Sequence, residues 1–207
     1  MDEFIELVNE MAKNNTDFMI SNSSFAHAKI LFEKIVSMAN TSISLISQRC
    51  DQVFYNDSGV RQAFFEFINR TKGEGSIQII FEHNTPDEKI RANVFLIQLQ
   101  QELKIYGKQD SLKLYKLNDD NNIVLEKHTV NILLADEKGP FRFETRSLNN
   151  DTSTCEDEVA FEKRPIDAVA NFGNIKKSEL VRKFFEKIKN VAESFSLVMP
   201  QHEIPEA

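Results

Sequence analysis

Apolar positions along this chain switch repeatedly between helical and strand spacing, and the switches mark the elements. Residues 2–13 carry Phe4, Leu7, Val8 and Met11 at three- and four-residue intervals, which predicts a short helix. A polar break follows, then a short extended piece over 17–21. Ser23 or Ser24 can cap a second helix whose Ala28, Leu31, Ile35 and Met38 share one face to about residue 39. Residues 41–48 alternate and are β-branched, so they read as a strand. Residues 51–59 read as a loop. Ser58 opens a helix striped by Val60, Phe64, Phe67 and Ile68, which Gly73 and Gly75 stop. Residues 76–83 form the next strand. Thr85 and Pro86 start a helix that runs to Tyr106, where Gly107 ends it.

The second half is richer in strands. Residues 111–118 alternate imperfectly around Leu112, Leu114 and Leu117 and predict a strand, with a turn at 119–122. From Ile123 to Arg146 the chain reads as extended structure, a turn at 137–140 and a return strand. Residues 147–158 are polar and expected to be a flexible loop. Residues 168–172 make a short apolar strand. Asn174 can cap a last helix with a broad apolar face from Leu180 through Val181, Phe184, Phe185, Ile188, Val191 and Ala192 to Phe195. The tail from 200 to 207 is expected to be disordered. This order predicts an α/β fold: a mixed, mainly parallel sheet with helices on both faces. The expected organisation is an N-terminal helix and linker over 1–22, one α/β domain over 23–199, and the tail.

Composition narrows the function classes. The chain has 207 residues, 41% hydrophobic and 28% charged, with 17 Phe and no Trp. A chain of that length can bury a sizeable core, and Phe has no polar handle, so most of it belongs inside. Net charge is −7. A non-specific nucleic-acid binder draws its affinity from neutralising phosphates, so this balance disfavours that role while leaving room for a local basic patch. Cys50 and Cys155 are the whole cysteine complement, too few and too far apart for a disulfide scaffold or a four-ligand zinc site. They are expected to be free thiols of a cytoplasmic protein. The N-terminus is acidic and amphipathic, unlike a signal peptide, and no apolar run reaches the ~18 residues of a membrane span. The Asn-, Lys- and Ile-rich composition suggests a small bacterial-type protein, of the sort found in a defence or toxin operon.

Three segments, in order, resemble one half of the phospholipase D fold. The strand SISLIS, the loop DQVFYND and the helix SGVRQAFFEFINR leading into SIQIIFE are similar to that superfamily's opening βαβ unit. HTVNILLAD and the hairpin to FRFE stand where its His-x-Lys-x4-Asp motif and return strand lie. AVANFGN and KKSELVRKFFEKI are similar to its closing strand and helix. The resemblance spans about residues 24–195. It implies a histidine nucleophile on a phosphodiester, a second histidine as general acid, lysines on the phosphate, and two motif copies. This chain holds one copy, so the resemblance implies a homodimer.

That copy is degenerate. With Asp136 on the family's aspartate, Thr129 takes the histidine slot and Asn131 the lysine slot, and His128 lies one residue early. Neighbouring strand residues point to opposite faces, so only a bulge between His128 and Asp136 could return the imidazole. Even then Val130 would replace the lysine, and Val donates no hydrogen bond. Phe143 and Glu144 fall near the family's Gly-Ser pair, where a carboxylate would repel a phosphodiester.

Other constellations are weaker. His27-Ala28-Lys29 also spells His-x-Lys, but on a predicted helix, with Lys34 where the aspartate would be; a solvated helix face is expected there. Asp136, Arg142 and Glu144 cluster on one hairpin, as a structural salt bridge or, with Thr129 and Asn131, a ligand or partner pocket. His83 with Asp87 and Glu88, and His128 with Glu126, lack metal-site spacing, and no phosphate loop, dinucleotide fingerprint or nucleophile elbow is present, so neither metal nor cofactor is expected. The last helix carries Lys176, Lys177, Arg182, Lys183, Lys187 and Lys189 opposite its apolar face, a solvated face or a contact surface for an acidic partner. The expected function is therefore a non-catalytic, homodimeric phospholipase D-like module that binds or regulates, with a further protein partner allowed and no membrane. A homodimeric nuclease or phosphodiesterase using the candidate pair His128 and Asp136 is one alternative. A nucleic-acid-binding regulator using the last helix is another.

Overall fold

The structure is a computed structural model that describes residues 2–22, 24–47, 52–82, 85–118, 124–125, 128–147 and 167–197. The loop expected at 147–158 lies outside the described residues except for Ser147, which ends a strand; the turn at 119–122, the tail, His83, Glu126, Cys50, Cys155 and the outer ends of the expected domain also lie outside them.

The first half follows its apolar spacing. α1 (Asp2–Lys13) leads to a short strand β1 (Ile20–Asn22). α2 (Phe25–Met38) starts where Ser24 Oγ accepts from His27 N at 3.2 Å. β2 (Ser42–Ser47) is followed by α3 (Gln52–Tyr55) and α4 (Ser58–Thr71). Residues 52–55 were expected to be loop; Phe54 and Tyr55 are buried, and that burial makes the turn helical. Asp57 caps α4 by accepting from Gly59 N at 3.0 Å, and Gly73, at φ +75°, closes it by donating to Ile68 O. After β3 (Ser76–Phe81), the single helix expected to Tyr106 is two: α5 (Asp87–Arg91) and α6 (Val94–Ile105). Asn93 separates them because its Oδ1 takes the Leu96 N–H at 3.2 Å and starts a new helix.

Then come β4 (Leu112–Lys116), β5 (Val124–Leu125), β6 (His128–Ala135), β7 (Phe141–Ser147), β8 (Asp167–Asn171), α7 (Ile175–Lys189) and β9 (Glu193–Phe195). Phe195 was expected on the last helix. Instead α7 stops at Lys189, and Phe195 pairs with Leu114 on the sheet edge, against Phe81.

Among the described residues the strands form one sheet in the order β1-β8-β7-β6-β2-β3-β4-β9, with β5 beside β6. It is mixed and carries helices on both faces, as expected. The parallel part is smaller than expected: only β2–β3 and β3–β4 are parallel, and the other six pairings are antiparallel. The reason is the hairpin, which enters beside β2 and carries β8 and β1 with it. One face packs Leu45, Ile79 and Leu133 against α1 to α6. On the other, Ile46, Ile80, Val130 and Ile132 pack on Phe185 of α7. No described helix is long and apolar enough to cross a membrane.

Candidate functional site

The β6–β7 hairpin carries the residues singled out above, and its register fixes their relation. Partners run without interruption from His128↔Ser147 through Asn131↔Glu144 to Leu134↔Phe141. There is no extra residue anywhere in that stretch, so the bulge that would return His128 to the other face does not occur. Thr129 and Asn131 share the parity of Leu133, toward the main core. His128 shares the parity of Val130 and Ile132. The side chains of His128 and Thr129 lie outside the described residues.

Pairing across the sheet sets two rows on the helical face. One holds Ile20, Ala170, Arg142, Leu133 and Leu45. The next, nearer the carboxyl ends of β2 and β3, holds Asn22, Ala168, Glu144 and Asn131, with Ser47 one step beyond the Ile46–Ile132 pair. This polar row lies at the strand ends where open α/β sheets generally bind ligands. Arg142 and Glu144 are 5% and 1% exposed, and Arg142 Nη1 is ion-paired with Glu144 Oε2. Asn131 Nδ2 donates to Glu144 Oε1 at 3.5 Å. The structural salt bridge envisaged for this pair is present and buried. Burying it costs several kcal/mol per ion before the mutual attraction is counted, and an unpaired Glu144 would cost far more. Arg142 Nε and Nη2 and both polar side-chain atoms of Asn22 are also buried and make no hydrogen bond among the described residues.

Asp136 does not join this cluster. It stands in the turn at the other end of β6, roughly 26 Å of strand from His128. Its carboxylate faces the α2–β2 connection. Oδ1 accepts from Thr41 N at 2.7 Å, Thr41 Oγ1 at 2.8 Å and Ser42 N at 3.0 Å, and both oxygens accept from Asn40 N at 3.1 Å. Burial pushes its pKa up, but the amides of Thr41 and Ser42, the Thr41 hydroxyl and the Asn40 amide outweigh burial and hold it below the usual carboxylate value. Asp136 thus caps the α2–β2 connection.

The basic helix is more divided than its sequence suggests. Lys176, Lys177, Lys183 and Lys187 are exposed, and the first, third and fourth of these line the outer stripe of α7 with Leu180. Arg182 and Lys189 are half-buried on its inner flank, and Lys189 pairs with Glu186 at 2.5 Å. The His27 decoy is not simply solvated. Its ring stacks on Phe4 at 3.8 Å, and Lys29 pairs with Asp57 at 2.8 Å. Among the described residues no group of three metal-ligand side chains converges. Sequence reasoning missed Asn22 and Ser47. Both are short polar residues at strand ends, and only the cross-strand register reveals them.

No protein-family model matches the sequence. An inner tegument protein of human herpesvirus 7 (strain JI) is 27% identical over 151 residues, which is 70% of this chain; the chain spans 14% of that curated relative. Among solved structures, Nuc from Salmonella typhimurium, a phospholipase D family member, superposes with a TM-score of 0.55 at 12% identity, covering 87% of this chain and 99% of Nuc. TrmBL2, an archaeal chromatin protein that binds DNA, superposes with a TM-score of 0.50 at 16% identity, over 93% of this chain and 60% of TrmBL2. At such identities the likeness is one of fold, and the fold is phospholipase D-like.

Proposed function

From a phospholipase D-like fold whose hairpin carries Asn131 and Glu144 at its polar row, we propose a non-catalytic binding or regulatory module that acts as a homodimer. The observation that carries this reading is the unbroken β6–β7 ladder. Attack on a phosphodiester needs a nucleophile and positive charge facing the same phosphorus. With the ladder continuous, the positions sharing Leu133's parity offer a hydroxyl and an amide. The fixed charges beside them, Arg142 and Glu144, neutralise each other in a buried ion pair, which leaves no net positive charge for a phosphate. The buried ion pair gives the hairpin a defined polar shape, suited to recognition by hydrogen bonding.

The test is cleavage of single- and double-stranded DNA, RNA and bis(p-nitrophenyl) phosphate in EDTA. No turnover above buffer is expected, with His128→Ala unchanged. Metal-independent cleavage that disappears in His128→Ala would sink this reading and favour the nuclease alternative. Sedimentation at micromolar protein tests the dimer, and a monomer there removes that part.

A second reading is favoured by the outer stripe of α7. Lys176, Lys183 and Lys187 are exposed and make no ion pair among the described residues, on a fold shared with a DNA-binding chromatin protein. It expects a gel shift that weakens steeply with salt and is lost in the double variant Lys183→Glu, Lys187→Glu. No shift at low salt removes it.

A further inference from the structure

A groove of about 370 Å³ opens between α1, α2 and α4, away from the β6–β7 hairpin. Ile5, Val8, Ile30 and Ala63 give it apolar walls. Two carboxylates, Glu33 and Glu66, and the Lys34 side chain also line it. Glu33 of α2 is half-buried against Gly59, so close that a Cβ there would sit 2.3 Å from Glu33 Oε1. Glu33 makes no hydrogen bond or ion pair among the described residues. The cation one turn earlier, Lys29, is committed to Asp57 at 2.8 Å and lies over the Phe25 ring. Glu66, at the rim, accepts from Gln62 at 3.1 Å. Burial, then the charge of Asp57, push the Glu33 pKa up, and Lys29 only partly opposes them.

A half-buried carboxylate whose lysine one turn earlier is engaged elsewhere is an unfavourable arrangement that a bound cation relieves, and the groove's own Lys34 forms no ion pair with it among the described residues. The walls select the rest of that cation. A divalent metal would need further oxygen ligands, and no such group converges here among the described residues. An ion with an apolar body satisfies both features, and the volume lies at the small end of ligand sites. We propose that this groove binds a small primary alkylammonium ion, its head on Glu33 and its chain along Ile5, Val8, Ile30 and Ala63. The site is independent of the hairpin and of whether that hairpin is catalytic.

The experiment is amide NMR titration of the full chain with n-hexylammonium chloride, against 1-hexanol at matched chloride. Saturable shifts confined to α1, α2 and α4 are expected, with hexanol about tenfold weaker or more. Glu33→Gln should weaken hexylammonium by about tenfold, while Glu74→Gln, on a distant surface pair, should bind as the native chain does. Gly59→Ala should also weaken it, by displacing the carboxylate without changing charge. Circular dichroism checks each fold, and if Gly59→Ala does not fold, Glu33→Gln carries the test. Equal binding of hexanol, native affinity in Glu33→Gln, shifts mapped elsewhere, or no saturable shift would each overturn the proposal.

Discussion

Asp136 sits at φ +58° and answers the N–H groups of three successive residues, so its side chain and its backbone contribute separately. Asp136→Ala removes the acceptors and strains the left-handed backbone, and should cost about 2–4 kcal/mol in urea unfolding. Asp136→Gly removes only the acceptors and should fall between Ala and the native residue; equal losses would refute the backbone share. The pH dependence has a definite sign. The folded carboxyl titrates below its unfolded value, so its stabilisation is complete above pH ~4 and is lost as pH falls through the depressed folded value. Asp57, where burial is outweighed by Lys29 and the Val60 and Gly59 amides, and Asp87, through Lys116, shift the same way and add to the acid loss. Asp136→Asn should flatten the stability profile below pH 4. Glu33 behaves oppositely. Its folded pKa is raised, so its ionised form opposes folding at neutral pH. Glu33→Gln should therefore raise the urea midpoint at pH 7, the mark of a carboxylate kept for something other than stability.

Elements were legible wherever burial follows the regular period of the element. The stripes of α2 and α4 bury one helical face, the runs of β2, β3 and β6 are apolar because both faces of the sheet are covered, and their spacing alone located them. Legibility failed where tertiary contact overrides local pattern. Asn93 could not be told from any helical polar residue until its carbonyl oxygen was seen on Leu96 N. Phe195 continues the helical period of α7, yet pairing with Leu114 holds it in a strand. For the candidate site, the one-residue offset of His128 was readable, but the continuity of its ladder was not, because a bulge leaves little trace in composition. The pairing of Arg142 with Glu144 was readable from their shared face, but its burial was hidden, since spacing alone does not say which face of the hairpin is covered. That burial makes a prediction. Glu144→Ala alone leaves a buried guanidinium and should cost about 3–5 kcal/mol, whereas Arg142→Met with Glu144→Leu should cost far less or stabilise. Denaturant unfolding of the single and double variants checks it; equal losses would mean that the pair is not coupled.

At the scale of the molecule the two faces of the sheet are unequal. Six helices cover one, while among the described residues α7 alone covers the other, through Phe185 with Val181, Phe184 and Ile188 against Ile46, Ile80, Val130 and Ile132. The same helix turns Lys176, Lys183 and Lys187 outward, so clamp and basic stripe are two sides of one element. This lets stability and binding be separated by substitution. Phe185→Ala empties the centre of the smaller cluster and should cost about 3–5 kcal/mol, with hydrogen exchange rising first in α7 and in β6 beneath it. Lys183→Glu with Lys187→Glu touches no packed atom and should leave stability within about 0.5 kcal/mol while reversing charge on the stripe. If the outer face serves an acidic partner, only the second pair of changes abolishes binding in the folded protein. If binding instead follows Phe185→Ala at temperatures where that variant is still folded, the contact surface lies in the sheet under α7, and the lysines are solvated charges whose role is solubility alone.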